Sequence, residues 1–361
     1  MEDILEATRR YETWLGGFMS LVRPDIAEKH RRMRAGPFSF MRATFYRWCA
    51  LWIRTAGDLA GRAPVLGVGD LHLENFGTWR DAEGRLIWGI NDFDEAAVLP
   101  WPHDLVRLAS SAHLAIADSH VRLARRDACD AILQGYRDGV DSGGQPFVLE
   151  ESHAWLRTVA TSELRQADVF WRKLDALPTA RSVDGGARAA IVEAMPSAAG
   201  TPIRFARRVA GMGSLGRPRF VGIAAWKGGK VAREAKAMAP SAWNWANRRS
   251  ARTLMYARVL ARAVRVPDPT VRVAAGQWLV RRLGPHCTRI ELADLPDAHD
   301  EERLLYAMGF ETANIHLGTP GARATIRSEL RRLKGRWLRD RAEALAIAVR
   351  GDWARWRAET A

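Results

Sequence analysis

The chain has 361 residues, of which 47% are hydrophobic and 27% charged, and its net charge is +14 at pH 7. This composition is ordinary for a globular protein with a sizeable core. No apolar run approaches the ~20 residues that span a bilayer, and the N-terminus lacks a signal-peptide apolar region. The three cysteines, Cys49, Cys129 and Cys287, match no zinc or disulfide spacing. We therefore expect a cytoplasmic protein without a membrane partner.

The positive charge is carried almost entirely by arginine, because only six of the 55 basic residues are lysines. Arginine together with abundant alanine is typical of GC-rich codon usage, which raises the charge without a function. The arginines are dispersed through the chain, and no nucleic-acid-binding motif of known spacing occurs. A nucleic-acid partner remains an alternative, but the same charge suits an anionic nucleotide or a phosphorylated substrate.

In chain order, residues 1–60 are predicted to be helical, and residues 63–94 form a strand–loop–strand unit. A helix begins near Asp104, and the chain stays mostly helical to about residue 195. Three strands follow the change in composition near residue 200, and the second and third are joined by the tight turn Lys227-Gly228-Gly229. These strands are expected at 203–210, 219–226 and 230–237. A helix is expected next at 245–264, followed by two strands at 271–275 and 277–283. The last two helices are expected at 298–317 and 322–350.

Acidic and amide residues follow both strands of the first unit. Asp70 and Asn75 lie in Gly-Asp-Leu-His-Leu-Glu-Asn-Phe-Gly, and Asp92 lies in Asn-Asp-Phe-Asp-Glu. A single Asp or Asn is common in turns because its side chain bonds nearby backbone amides. Two such clusters after two strands instead indicate a phosphoryl-transfer site, where one carboxylate accepts the hydroxyl proton and the other oxygens hold magnesium.

A glycine-rich segment, Gly211-Met212-Gly213-Ser214-Leu215-Gly216, connects the first two strands of the later unit. A dinucleotide-binding fold would open a helix here, whereas a strand-like segment with Pro218 follows. A glycine turn between strands is the geometry that covers nucleotide phosphates in kinases. Lys236 lies twenty residues after Gly216, where a kinase needs its phosphate-binding lysine. The alternatives are a plain hairpin loop and a solvated lysine.

Together these segments resemble a protein-kinase-like or aminoglycoside-phosphotransferase-like enzyme whose order is circularly permuted, since the catalytic motifs precede the glycine turn. Over residues 30–320 the chain also resembles an uncharacterised bacterial family, domain of unknown function 2252. The segments that carry this second resemblance are Gly-Pro-Phe-Ser-Phe-Met-Arg at 36–42, both acidic motifs, Asp-Leu-Val-Arg-Leu at 104–108, the glycine turn, and Lys236 ahead of Pro240-Ser241.

The kinase resemblance implies an α+β, two-lobed fold of permuted order, with a mostly helical lobe and a small antiparallel β-sheet lobe. The helical lobe would span residues 1–200, the β-rich nucleotide-covering lobe 201–292, and C-terminal helices at 293–361 would pack on the helical lobe. It also implies that Asp104 anchors the catalytic loop without touching substrate.

The same resemblance implies the roles of the site residues. Asp70 would be the catalytic base. The magnesium ligands would be Asn75 and Asp92, with Asp94 as the alternative, and the nucleotide phosphates would contact Gly211, Gly213, Ser214, Gly216 and Lys236. The implied activity is an ATP- and magnesium-dependent phosphotransferase that acts on a hydroxyl of a small-molecule or protein acceptor.

One departure concerns the partner of Lys236. Kinases pair this lysine with a helix glutamate, yet the helix predicted after it has no Asp or Glu between residues 243 and 265. Either Glu234 or a residue elsewhere takes that role, or the lysine is unpaired, which makes a nucleotide-binding pseudokinase the main alternative. A metal-dependent phosphoesterase that starts from Asp70-x-His72 is a further alternative, but no other histidine recurs in a suitable context.

Overall fold

The computed structural model describes residues 2–118, 121–163, 167–196, 202–250, 252–274, 277–285, 287, 298–333 and 335–360. These residues form an α+β structure, and about half of the chain is helical. Among the described residues, no helix combines the length and the apolar composition of a membrane-spanning segment. The helices are α1 (Ile4–Gly16), α2 (Arg23–Met33), α3 (Pro37–Ala43), α4 (Phe45–Thr55), α5 (Pro102–Ala117), α6 (Arg125–Ser142), α7 (Ala154–Glu163), α8 (Ala167–Asp175), α9 (Gly185–Ala194), α10 (Ala242–Ala246), α11 (Tyr256–Arg262), α12 (Ala298–His316), α13 (Ala322–Arg332) and α14 (Trp337–Glu359).

The described strands form three antiparallel sheets. A two-stranded sheet pairs β1 with β4, a second has the order β2-β3-β5, and a five-stranded sheet has the order β6-β7-β8-β10-β9. The strands are β1 (Pro64–Gly67), β2 (Phe76–Arg80), β3 (Leu86–Ile90), β4 (Ala97–Pro100), β5 (Phe147–Val148), β6 (Arg204–Arg207), β7 (Arg219–Trp226), β8 (Gly229–Ala237), β9 (Arg272–Ala274) and β10 (Trp278–Leu283).

The largest apolar core lies among the N-terminal helices, α5, α6 and the C-terminal helices. Trp48, Trp52 and Trp101 are almost fully buried there, so these tryptophans pack as core residues and are not exposed for base stacking. Helix α12 packs against α6, and α14 packs against α5 and α4. The main apolar core therefore lies in this helical part of the structure.

Two smaller apolar cores lie on opposite faces of the five-stranded sheet. On one face Ile191 of α9 packs with Phe205 and Val280, and on the other Leu174 of α8 packs with Val221. Helices α8 and α9 thus pack on the sheet although they precede the predicted boundary at residue 200. The other predicted boundary, at residue 292, falls among residues 288–297, which lie outside the described residues.

The hairpin between β7 and β8 agrees with its prediction. Its two turn residues, Lys227 and Gly228, have φ of 44° and 81°, the left-handed pair that a two-residue hairpin turn requires. Strand β8 then runs in register with β7 and β10, with Lys236 opposite Arg219 and Leu279. Lys236 is therefore on a central strand.

Three predicted elements differ from the structure. The first unit contains an additional strand, β2, because the turn at 81–84 joins it to β3 as a hairpin. The helix predicted at 245–264 is instead two short helices, α10 and α11, since Arg248 adopts a left-handed φ of 53°. The helix predicted at 322–350 is broken into α13 and α14, since Leu333 is extended and Gly335 has φ of 67°.

Candidate functional site

The two acidic motifs lie side by side in the structure. The first loop runs from the end of β1 through a short 3-10 turn (Leu73–Asn75) into β2, and the second follows β3. The backbone N–H of Asn91 donates to the carbonyl of Asn75 at 3.1 Å. Gly69 has φ of 80°, and a Cβ there would lie 2.2 Å from the carbonyl oxygen of Glu95. Glycine is therefore required for the loops to approach this closely.

Asp104, at the start of α5, holds the first loop in place. It is fully buried, and its carboxylate accepts hydrogen bonds from the backbone N–H of Val68 at 2.6 Å and of Gly69 at 3.0 Å. His316 and His103 contact the same carboxylate at 3.1 and 3.3 Å. Despite burial, these donors lower the pKa of Asp104 below its ordinary value. It is thus a buried anion that positions the loop.

Asp70 lies at the centre of the loop that Asp104 holds. One carboxylate oxygen accepts a hydrogen bond from Arg107, which is fully buried between the rings of Phe45 and Trp48. Burial raises the pKa of Asp70, although the charge of Arg107 acts in the opposite direction. A carboxylate with a raised pKa accepts a proton more readily, as a general base requires.

Asn75 is bonded within its own loop. Its side-chain oxygen accepts the backbone N–H of His72 at 2.6 Å, and the ring of His72 accepts the N–H of Glu74 at 3.2 Å. This reciprocal cap fixes the 3-10 turn. One lone pair of the Asn75 oxygen is engaged, so its second lone pair is what remains for a cation.

Lys236 joins the sheet to the second acidic motif. Its ammonium group is 2.5 Å from a carboxylate oxygen of Asp94, 142 residues away in the chain, and 3.7 Å from one of Asp92. The lysine is 2% exposed. Burial and the neighbouring Asp92 raise the pKa of Asp94. Two motifs that are distant in sequence thus meet face to face.

The glycine turn covers Asp70. A Cβ on Gly213 would lie 3.2 Å from the second carboxylate oxygen of Asp70, and one on Gly211, whose φ is 77°, would lie 2.9 Å from the hydroxyl of Ser214. That hydroxyl binds Arg219 at 2.7 Å. Gly216 instead packs on Ile26 of α2. Of the four predicted phosphate-binding residues in the turn, Gly211, Gly213 and Ser214 therefore line the cavity at Asp70, and Gly216 does not.

A buried ion pair fastens the turn to the acidic loop. Arg217 donates to Glu95 at 2.7 Å and lies 3.8 Å from Asp94. The second carboxylate oxygen of Glu95 accepts the backbone N–H of Ala242 at the start of α10, at 2.6 Å. Both charged side chains are buried. The pair therefore connects three segments of the cleft.

Glu234 does not pair with Lys236, so this sequence-based alternative is wrong. Its fully buried carboxylate instead binds Arg219 and Arg281, each at 2.9 Å, and also contacts Arg208. Alternation along β8 places Glu234 and Lys236 on the same face of the strand, but three guanidinium groups occupy Glu234. Lys236 takes the acids of the opposite loop as its partners.

Two cavities meet at the cleft and share the residues Asp92 and Gly211. The one at Asp70 has a volume of about 40 Å³, enough for roughly three water molecules. The other has about 680 Å³ and is lined by aromatic and arginine side chains, among them Trp79, Tyr256 and Arg281. Only the larger cavity has the size of a small-ligand site.

Sequence reasoning missed several residues of the cleft. Arg107 and Glu95 stand inside motifs that were recognised, and Arg217 directly follows the glycine turn, but no role was predicted for them. Their partners are 37 and 122 residues away, so no local pattern could have identified the pairs. Among the described residues, no group of three or more His, Cys, Asp or Glu side chains is arranged to hold a metal ion by itself.

Comparison with known proteins identifies a family. The model of the family described as "Uncharacterized protein conserved in bacteria (DUF2252)" matches residues 22–205. No curated protein and no solved structure matches the chain. The matched half contains both acidic motifs, Asp104 and Arg107, whereas the glycine turn and Lys236 lie beyond it, so the match ends earlier than the predicted 30–320. The chain belongs to this bacterial family of uncharacterised proteins.

Proposed function

We propose that the protein is an ATP- and magnesium-dependent phosphotransferase with a permuted, two-lobed, kinase-like arrangement. The observation that carries this proposal is the contact of Lys236 with Asp94 and Asp92. This contact joins a lysine on a central strand to the acids that follow β3. In the same cleft, the glycine turn lies beside Asp70. A kinase-like site needs these groups on opposite walls of one cleft.

The larger cavity is the proposed nucleotide site. Its 680 Å³ lies within the range of small-ligand pockets. In this proposal the base lies on the side of the cavity that Trp79 and Tyr256 line, and the phosphate chain runs past Arg281 toward Gly211, which also line it. The last phosphate would then lie near Gly211 and Asp92, which the larger cavity shares with the smaller one.

The residues of the acidic loops fit a magnesium ion. Magnesium prefers oxygen ligands and is commonly bound through one or two carboxylates together with substrate phosphates. Asp92 and Asp94 would hold it, with the second lone pair of the Asn75 oxygen as a further ligand. When bound, the ion neutralises the charge of the phosphates. Lys236 contacts the same two carboxylates and would contact the phosphates in the nucleotide complex.

The chemical step follows from the position of Asp70. Its carboxylate accepts the proton of the acceptor hydroxyl while that oxygen forms a bond to the terminal phosphorus of ATP. The bond between this phosphorus and the oxygen bridging to ADP breaks, so the products are a phosphate monoester and ADP. Arg107 fixes the carboxylate, and the N–H groups of Gly211 and Gly213 are the proposed donors to the transferring group.

Nucleotide binding by the full chain tests this proposal. We expect ATP with magnesium to raise the melting temperature, because a ligand that binds only the native state stabilises it. Lys236→Met should remove most of this shift. Lys230→Met is the matched control, because Lys230 lies on the same strand, is half exposed and pairs with Asp175.

Further variants separate catalysis from binding. Asp92→Asn should abolish the magnesium dependence of the shift, whereas the exposed control Asp141→Asn should not. Equal shifts for Lys236→Met and Lys230→Met would reject the proposed site. ATP binding without ADP release under any acceptor condition would instead support the pseudokinase alternative.

A further inference from the structure

Lys29 of α2 is a buried cation in the wall of the smaller cavity. It is 4% exposed and lines the cavity together with Asp70. Within the described part of the chain its ammonium group makes no ion pair or hydrogen bond, and it lies 5.9 Å from the ring centroid of Tyr46. Glu12, the nearest acid on α1, is bonded to His30 at 2.6 Å.

Burial of the Lys29 ammonium group is costly because it loses water. The charges of Glu12, Glu95 and Asp70 compensate only in part, and none of these carboxylates forms a direct ion pair with it. Burial lowers the pKa of Lys29 to about 8, so the group is still largely protonated at neutral pH. The wall around it contains two more cations, Arg42 and Arg217, which already have the carboxylates of Glu74 and Glu95 as partners. Lys29 is thus the cation in this wall with the least compensation.

The place of Lys29 relative to Asp70 defines what it can bind. The larger cavity approaches Asp70 from the side of Asp92 and Gly211, whereas Lys29 comes from α2, which packs behind the glycine turn. If ATP occupies the larger cavity, the space between Asp70 and α2 receives the acceptor hydroxyl. A cation there lies beside the acceptor.

We infer that Lys29 binds an anionic group of the phosphate acceptor, so the acceptor is a small alcohol that carries a phosphate or carboxylate group. The inference rests on the proposed phosphotransfer, because the direction of transfer decides which cavity is the acceptor side. The ring of Tyr11, stacked 4.4 Å from that of Tyr46, and the ring of Phe45 complete an apolar wall for the carbon skeleton. The turn must lift from Asp70 for such a molecule to enter.

Inorganic phosphate and acetate are the probes, added to the full chain at constant ionic strength with sodium chloride. We expect one of them to raise the melting temperature of the wild type and of Lys29→Arg. The affinity for that anion should fall roughly 10- to 100-fold in Lys29→Met, since a charge-assisted hydrogen bond is lost. A larger effect of phosphate indicates a phosphorylated acceptor, and a larger effect of acetate a carboxylic one.

Two further variants make the result decisive. Lys29→Met without ligand should melt no lower than the wild type, because a buried charge without a direct ion-pair partner is removed. Lys230→Met should keep the full anion response. An anion response that survives in Lys29→Met, or that is lost only in Lys236→Met, would overturn the inference by placing the anion elsewhere. The ATP shift should persist in Lys29→Met. An anion response that needs Lys29 in a protein that ATP does not stabilise would support the anion site and overturn the phosphotransfer.

Discussion

Asp104 at the start of α5 is fully buried and the side chain of Asp70 is 18% exposed, and the surroundings of the two carboxylates shift their pKa values in opposite directions. Asp104 accepts hydrogen bonds from two backbone N–H groups and contacts two histidines, and its pKa is lowered. Asp70 has Arg107 on one oxygen and the cavity at the other, and its pKa is raised. Burial raises the pKa of a carboxyl group, but a sufficient number of hydrogen-bond donors reverses the shift, as at Asp104. Asp104 supports the loop, and Asp70 has the surroundings expected of the general base that we propose.

The difference between the two carboxylates is tested most directly by the same substitution, Asp→Asn, at both positions. Asp104→Asn replaces one of the two carboxylate oxygens by an N–H₂ group. That N–H₂ group would face N–H donors that now bind the oxygen. We expect the free energy of unfolding to fall by about 3–5 kcal/mol, as when one member of a buried charged network is removed. Urea denaturation measures this, and a loss below about 1 kcal/mol would show that the network does not hold the loop.

Asp70→Asn should behave in the opposite way. The amide oxygen can keep the hydrogen bond from Arg107, so we expect the free energy of unfolding to change by no more than about 1 kcal/mol. Turnover should fall by roughly 10²- to 10⁴-fold, the usual contribution of a general base. ADP release in the presence of an active acceptor measures the effect, and unchanged turnover would remove Asp70 from the mechanism.

Glu311 of α12 extends the comparison to a third carboxyl group. It accepts the backbone N–H of Ile90 at 3.2 Å and the amide of Asn314 at 2.8 Å, fewer donors than Asp104 has. Burial raises its pKa to about 7. The native state therefore binds a proton that the unfolded state releases at lower pH, so the free energy of unfolding should fall as pH rises from about 4.5 to 7.

Glu311→Gln removes this titration. We expect the variant to match the wild type near pH 4 and to exceed its free energy of unfolding at pH 8 by up to about 3 kcal/mol. Denaturation at a series of pH values measures the difference. Glu302→Gln, at an exposed position of the same helix, is the control, and parallel pH curves for Glu311→Gln and the wild type would contradict the assignment.

The smallest effect is expected where the turn meets Asp70. A Cβ on Gly213 would lie 3.1 Å from the carbonyl oxygen of Arg42 and 3.2 Å from a carboxylate oxygen of Asp70, so Gly213→Ala should crowd that carboxylate. We expect turnover to fall about 10-fold and stability to change by no more than about 1 kcal/mol. Gly229→Ala, whose Cβ meets nothing closer than 3.9 Å, should leave turnover unchanged.

The parts of the structure that sequence reasoning predicted are those with a local signal. The hairpin at Lys227-Gly228 and the strand that carries Lys236 follow from alternation and turn chemistry, and Asp104 at the start of α5 follows from its position before an apolar run. Strand β2 was missed because it is only five residues long and directly follows the polar motif, so its apolar pattern is too short to recognise. The breaks at Arg248 and Gly335 were missed because a left-handed residue inside a helical period has no unique sequence signal.

The partners of the charged residues could not be predicted. Glu234 was a candidate ion-pair partner of Lys236 because both lie on one strand. Glu234 instead pairs with arginines from β7 and β10, and Lys236 pairs with acids from the loop after β3. Lys29 had no signal at all, since a lysine in a basic helix normally faces water. Such pairings depend on how distant elements pack, and periodicity along the chain does not contain that information.

The Arg217–Glu95 pair has a consequence for affinity. It holds the turn, the acidic loop and α10 together in an arrangement whose cavity at Asp70 is only about 40 Å³. If binding requires an expanded conformer, the apparent dissociation constant is the intrinsic one divided by the fraction of molecules that are expanded. Substitutions that relax this arrangement would then tighten ligand binding, because they raise the population of the expanded form.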